Sequence, residues 1–429
     1  MKAVLAVHGT RGDVEPCAAV GVELQRRGHE VRMAVPPNLI GFVEAVGLKA
    51  VPYGPDSHAQ LDEEIFRSFW RIQNPLGILR PGAEYLTRGW AEMSETLVSL
   101  TQGADLIVSG QTYQGVVANI AEYYKIPMAA MHHFPHRLNG CVVPYVPAPV
   151  TRSAMRFLYG FYWWMTKNAE DTQRRDLGLP KTRASSAKRI VEKGSLELQA
   201  YDGVYFPGLK TEWSDHRQRP FVGALTLELP TANDDEVASW IAAGTPPIYF
   251  GFGSMRVQSP ADTVTMIGDV CAQLGERALI CAGVTDFEGV PPRDDVKVVS
   301  EVNHAAVFPN CRAVVHHGGA GTTAAGMKAG VPTLVLWISA EQPVWAAQVI
   351  KLKVGKARRL AGSSKKTLLK DLRDILSPKY VTRAREMAAR MTPSGVSVAT
   401  AADLLENEVF RGRQAPLNGV AGRSQRAAR

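Results

Sequence analysis

Apolar residues come along this chain in short β-type runs, and between the runs their spacing changes to that of a helix. "AVLAV" (3–7) is followed by "VEPCAAVGVELQRRG" (14–28), whose apolar positions fall on one helical face and which ends in Gly28 as a stop, and then by "VRMAVP" (31–36). That is a βαβ unit. "ADLIVSG" (104–110), "VVANIAEYYKIP" (116–127) and "MAAMHHF" (128–134) repeat it, so the first half is predicted to be a parallel sheet flanked by helices. The second half begins the pattern again with "PPIYFGFGS", "ALICAG", "VKVVSEV", "AVVHHGG" and "PTLVLW". Two α/β halves, joined through the proline-bearing "RQRPFVGALTLELPT" (217–231), predict a ligand cleft between them.

Size and composition agree with two cores: 429 residues, 45% of them hydrophobic. The formal charge of +8 is misleading until it is located. After Glu408 come Arg411, Arg413, Arg423, Arg426 and Arg429 with no acid, and subtracting those five leaves +3 for the rest. Nothing in that balance asks for a nucleic acid. The five cysteines, Cys17, Cys141, Cys271, Cys281 and Cys311, form no CxxC pair, so neither a zinc site nor a disulfide framework is expected, and reduced thiols fit a cytosolic protein. The opening "MKAVLAVHGT" is too short in its apolar part for a signal peptide and reads as the first strand. No run approaches the ~20 apolar residues of a membrane span. The aromatic segment "RFLYGFYWWMTKN" (156–168) has three readings: a core or interdomain helix, the wall of a greasy acceptor pocket, or peripheral contact with a membrane surface.

The chemistry concentrates at "VVHHGGAGTT" (314–323). A strand ending at His316, a glycine-rich turn and a helix opening near Thr322 make an anion site, because the first N–H groups of a helix are unpaired and its dipole end is positive. Gly318, Gly319 and Gly321 admit phosphate oxygens to the main chain, and His317 adds a hydrogen bond, or a charge if a phosphate raises its pKa. "GFGSM" (251–255) offers Gly253 and Ser254 at another strand end, and "WISAEQP" (337–343) places Glu341 and Gln342 where a carboxylate and an amide suit vicinal sugar hydroxyls. A rival reading stands beside this one: "GAGTTA" (319–324) also satisfies the dinucleotide fingerprint, with Glu341 at the spacing of a ribose-binding acid, as in an NAD(P)-dependent oxidoreductase.

"VVHHGGAGTTAAGMKAGVPTLVLW" with the following "EQP", the "GFGS" turn and the opening "GTRGDVEP" resemble the GT-B glycosyltransferases of family 1, among them the sterol, vancomycin-type and actinobacterial glycopeptidolipid enzymes, up to about residue 405. The resemblance implies two Rossmann-like domains with parallel sheets facing across a cleft: an acceptor-binding domain over 1–215, a linker over 216–232, a nucleotide-sugar-binding domain over 233–405, and a basic tail, expected to be disordered, over 406–429. It also implies inverting transfer without a metal or cofactor, with a UDP- or dTDP-sugar as co-substrate. Matched position by position, His317 contacts the donor diphosphate; Gly318, Gly319, Ala320, Gly321 and Thr322 form the phosphate loop. Gly253 and Ser254 lie beside the phosphates. The backbone at Val302 holds the base. Gln342 matches the glutamine of an Asp-Gln pair that grips the sugar, whereas Glu341 departs from the aspartate and leaves room for a deoxysugar.

Inverting transfer needs a base for the acceptor hydroxyl and a stabiliser for the departing diphosphate. In the acceptor loop, Thr10, Arg11 and Gly12 precede Asp13, which stands where plant relatives carry a histidine and is expected to be the base. As a residue at a helix start it is equally suited to capping. His8 is expected to be structural, and His132, His133 and His136 of "HHFPH" are placed to end near the same cleft. The expected activity is hexose or deoxyhexose transfer to a hydroxyl of an apolar acceptor, a cell-envelope lipid or lipopeptide. The oxidoreductase and a non-catalytic nucleotide-sugar binder are the alternatives.

Overall fold

The computed structural model describes residues 1–62, 79–253, 259–283, 293–338 and 341–424. Among the described residues, twelve parallel strands form two six-stranded sheets. The first contains β1 (Lys2–Ala6), β2 (Glu30–Val35), β3 (Lys49–Pro52), β4 (Leu106–Ser109), β5 (Met128–His132) and β6 (Leu196–Gln199), in the order β3-β2-β1-β4-β5-β6. The second contains β7 (Ile248–Gly251), β8 (Ala278–Cys281), β9 (Val296–Val299), β10 (Ala313–His316), β11 (Thr333–Trp337) and β12 (Gly355–Arg359), in the order β12-β11-β10-β7-β8-β9. Counted within its own domain, the second order is the first repeated. Both are the doubly wound arrangement, in which helices cover both faces and the central strands are buried throughout, as β4, β5, β7 and β10 are. The two-domain α/β fold expected from the sequence is present.

Six of the helices position the site: α1 (Arg11–Arg26), α2 (Gln114–Tyr124), α3 (Ala148–Asp176), α4 (Ala320–Ala329), α5 (Gln342–Lys351) and α6 (Ser394–Ser424). None of the described helices is long and apolar enough to cross a membrane. The halves are joined through a shared aromatic core. Trp345 of α5, buried, stands edge-on to Tyr205 (5.0 Å between ring centres), Phe206 (5.7 Å) and Tyr201 (6.0 Å), all from the chain just beyond β6.

The boundary expected at 405 falls inside α6. Helix α6 runs across that boundary and returns to the first domain, where Ala401, Ala402, Leu405 and Val409 complete the core built on α1, β1 and β2. Arg27 of the first domain bonds Asp403 (2.6 Å) and Glu406 (2.8 Å), and His29 bonds Glu406 (2.7 Å). The apolar residues at 401, 402, 405 and 409 follow helical spacing and find a partner face in the first domain. Truncating a fully buried leucine removes transfer energy and leaves a cavity. Leu405→Ala is therefore expected to destabilise the protein by about 2–5 kcal/mol, read as a lower urea midpoint; an unchanged midpoint would place α6 off the core.

Candidate active site

β1 and β4 are neighbours in the first sheet, as β7 and β10 are in the second, and at these reversals of strand order the outgoing loops diverge and leave a crevice beyond the strand C-termini. Gly9 to Asp13 follow β1 and Gln111 and Thr112 follow β4; Gly253 follows β7, and His317 to Thr322 follow β10. Residues of all four loops line one cleft of about 2100 Å³. Ordinary ligand pockets are about 300–1,000 Å³, so this one has room for two reactants.

On the first-domain side Thr10 is the N-cap of α1 and Asp13 its third residue. The Asp13 Oδ2 accepts from the Thr10 N–H (2.8 Å) and the Thr10 hydroxyl (3.2 Å), so Asp13 caps the helix from its third position, with Thr10 and not Asp13 as the N-cap, and it lines the cleft. Gly9 has φ +143°, and a Cβ there would stand 2.3 Å from Oδ2; only glycine lets the carboxylate fold back over the loop. Arg11, also at the cleft, pairs with Glu15 (3.3 Å) and reaches Glu301 of the second domain (3.6 Å). Gly12 lines the cleft as well. His8 is buried and its Nε2–H donates to the Pro55 carbonyl (3.0 Å); burial lowers its pKa, against the pull of that carbonyl and of Asp13. It props the loop.

On the second-domain side the two adjacent histidines divide the work. His316 is buried, and its Nδ1 accepts from the Gly318 N–H (2.9 Å), which pins the turn. His317 lies in the cleft wall with its ring between two glycines: a Cβ at Gly253 (φ +61°) would meet its Cε1 at 2.5 Å, and one at Gly319 its Nε2 at 2.7 Å. Burial pushes its pKa down to about 4, so the imidazole is neutral at pH 7. Its Nδ1 is buried without a hydrogen-bond partner. Gly319 is the N-cap of α4, and the Thr323 N–H is the first to bond back, to the Gly319 carbonyl (3.0 Å). The amides of Ala320, Gly321 and Thr322 precede it, and these residues line the cleft.

Glu341 caps α5 and Gln342 begins it; both line the cleft. Gln342 is held in place by the Ile338 N–H, which donates to its Oε1 (2.8 Å). Burial in the cleft, and then the charge of Asp13 opposite, push the Glu341 carboxyl up to about 7, so these acids of different domains sense each other across the gap. Val302, buried, lines the far end with Ser300 and Asn303. Ser254 lies outside the described residues. Of the three candidate histidines of the first domain, His132 is buried in the sheet against Gln114 (3.0 Å), while His133 and His136 line the cleft. The aromatic segment 156–168 belongs to α3 and walls the cleft with Tyr159, Tyr162 and Trp163, while Phe157 and Trp164 face outward and are exposed. The sequence reading missed Gln111, Gln114 and Arg137, all in the wall. Their only signal was position just after an apolar strand.

Known proteins match this architecture. Residues 3–80 fit the model of the glycosyltransferase family 28 N-terminal domain, and residues 270–406 that of the erythromycin biosynthesis protein CIII-like C-terminal domain. An uncharacterized glycosyltransferase of Mycobacterium tuberculosis is 59% identical over 416 residues, covering 96% of this chain and 100% of that protein. Among solved structures, the glycotransferase of kitacinnamycin superposes with a TM-score of 0.70 at 17% identity (95% of this chain, 99% of the other). Glycosyltransferase VinC in complex with dTDP superposes with 0.64 at 16% identity (96% and 100%).

The shift of Glu341, set first by burial and then by Asp13, has a measurable sign. A carboxyl whose folded-state pKa is raised binds its proton more tightly in the folded than in the unfolded protein, so stability falls as pH climbs from about 4.5 to about 7. Glu341→Gln removes the ionisation. The variant is expected to gain melting temperature relative to wild type steadily over that window; a difference that stays constant across it contradicts the raised Glu341 pKa.

Proposed function

The chain belongs to the family 1 glycosyltransferases of the GT-B fold, and on that premise we propose that it moves a hexose or deoxyhexose from a UDP- or dTDP-sugar, with inversion and without a metal, to a hydroxyl of an apolar acceptor such as a cell-envelope lipid or lipopeptide. The observation that carries this reading is the opposition of two loops in one cleft: Asp13 on the first domain, and His317 with the leading amides of α4 on the second. The neighbour solved with dTDP supports a nucleoside diphosphate as the donor's leaving part.

In this reading the diphosphate rests on the N-terminus of α4, with the amides of Ala320, Gly321 and Thr322 and one N–H of the neutral His317 imidazole aimed at its oxygens. The base extends toward Val302, and Gly253 flanks the phosphates. Glu341 and Gln342 hold the sugar hydroxyls, and a Glu341 carboxyl that titrates near 7 can donate as well as accept. The acceptor hydroxyl enters from the first domain past Thr10, Arg11 and Gly12. Its oxygen attacks the sugar's anomeric carbon from the side opposite the diphosphate, its proton passes to Asp13, and the bond to the diphosphate breaks with the electron pair on the departing phosphate oxygen. Asp13 is fixed for that task by Thr10, which occupies only Oδ2. The aromatic wall of α3 supplies the apolar surface for the acceptor body. The protein works in the cytosol, or at the inner face of a membrane that presents such an acceptor.

The oxidoreductase alternative loses its ground, because the glycine motif follows β10, the fourth strand of its sheet, and the full-length relative is a glycosyltransferase. Two measurements test the proposal. UDP or dTDP at a hundredfold its dissociation constant is expected to stabilise the protein by about 2.7 kcal/mol in a thermal shift, with no comparable effect from NAD(P); the reverse pattern defeats it. His317→Ala is expected to lower turnover roughly tenfold to a thousandfold, the scale of one lost electrostatic donor, in a protein that still melts cooperatively. Near-normal turnover would remove His317 from the leaving-group site.

A further inference from the structure

We propose that the first-domain wall of the cleft contains an anion site, in which the guanidinium of Arg137 binds a carboxylate or phosphate oxygen carried by the acceptor. The inference rests on the reading of this wall as the acceptor side, and it narrows the acceptor from an apolar alcohol to an apolar alcohol that bears a negative charge.

Arg137 lies five residues beyond β5, in the loop that brings His133 and His136 to the cleft, and it lines the cleft although only 3% exposed. Two of its three nitrogens are used. Nε donates to Glu197 Oε2 (2.7 Å) and Nη2 to Gln114 Oε1 (2.9 Å). Nη1 is buried and has no partner. Leaving a buried donor of a charged group unsatisfied costs more than leaving a neutral one, and such groups are normally paired.

The charge count points the same way. Glu197, fully buried on β6, is shared between Arg137 and Arg219, whose Nε stands 3.5 Å from the same Oε2. Two guanidiniums on one carboxylate leave one positive charge in a dry environment. The neighbours do not cancel it. His132 and His136 are kept neutral by burial and by Arg137 itself, His136 down to about 3, while burial holds the Tyr159 phenol protonated, with its pKa up at about 12. Glu212 is committed to Arg152 (2.8 Å) and the Gly140 N–H (2.9 Å), and Asp13, on the same wall, has its Oδ2 committed to the Thr10 N–H (2.8 Å). A pair needed only to hold the fold would balance; an uncompensated buried charge is costly, and a monoanion removes that cost. Arginine is the side chain suited to a carboxylate or phosphate oxygen, and Phe134, Tyr159, Tyr162 and Trp163 provide the apolar wall beside it.

The test uses the full chain and three probes of one shape: 6-hydroxy-2-naphthoate, its uncharged primary amide, and the corresponding hydroxynaphthyl phosphate ester, titrated calorimetrically with and without dTDP. The wild type is expected to bind at least one of the two anions tenfold or more tightly than the amide, and which anion wins separates carboxylate from phosphate. Arg137→Gln is expected to erase that preference while leaving dTDP affinity within twofold. Glu197→Gln, which keeps Arg137 and adds to the uncompensated charge, is expected to retain or increase it, so the site remains testable if one variant folds poorly. Equal binding of charged and neutral probes by the wild type, no binding of any of them, or a loss of dTDP affinity in Arg137→Gln overturns the proposal. Failure of dTDP to bind the wild type while the anion preference persists would instead count against the donor reading and leave this site standing.

Discussion

Two helix N-termini open into one cleft, and most of what is unusual about the site follows from that. Each ends a strand at the point where its sheet reverses order, so each presents unpaired amides and the positive end of a dipole to the same space. Negative charge is drawn there from both sides. Asp13 folds back onto the first turn of α1, and Glu341 lies at the start of α5 within range of it. Burial in the cleft, and then the charge of Asp13, make Glu341 hold its proton to about pH 7. A diphosphate on α4 would bring two further charges to this gap, so the protonation of Glu341 and the occupancy of the phosphate loop are linked in the proposed reaction.

Such an arrangement requires the halves to hold a fixed distance. Trp345 and its three aromatic neighbours join α5, which carries Gln342, to the chain leaving β6. On the other flank α6 leaves the second domain and seats Leu405 and Val409 in the first. Arg11 and Glu301 add an exposed pair across the mouth, worth little energetically but poised over the entrance. The cleft is thus framed by one aromatic joint and one returning helix.

How far the sequence announces this depends on how each element is stabilised. Strands buried on both faces, such as β1, β7 and β10, are continuous apolar runs, and the glycine turns after them can be recognised because the chemistry demands bare backbone. β6 and β12 give no such signal. "LELQ" hides Glu197 in an ion-pair cluster, and "GKARR" is held by Lys356 and Arg358 against Asp371, so both strands look polar until their partners from distant parts of the chain are known. The same holds for Arg137: a single arginine after "HHFPH" is indistinguishable from a solvated one without Glu197 beside it. His316 and His317 are adjacent letters, and only the turn geometry separates the one that pins the loop from the one that faces the cleft.

The central claim is that the corner between β10 and α4 receives the donor's two phosphoryl groups opposite Asp13. A crystal structure of the protein grown with dTDP tests it most directly. The diphosphate is expected within hydrogen-bond distance of the His317 ring and of the amides of Ala320 to Thr322, with the terminal phosphate turned toward the gap that Asp13 borders. Phosphates bound elsewhere in the cleft, with the His317 ring and those amides left uncontacted, would contradict it.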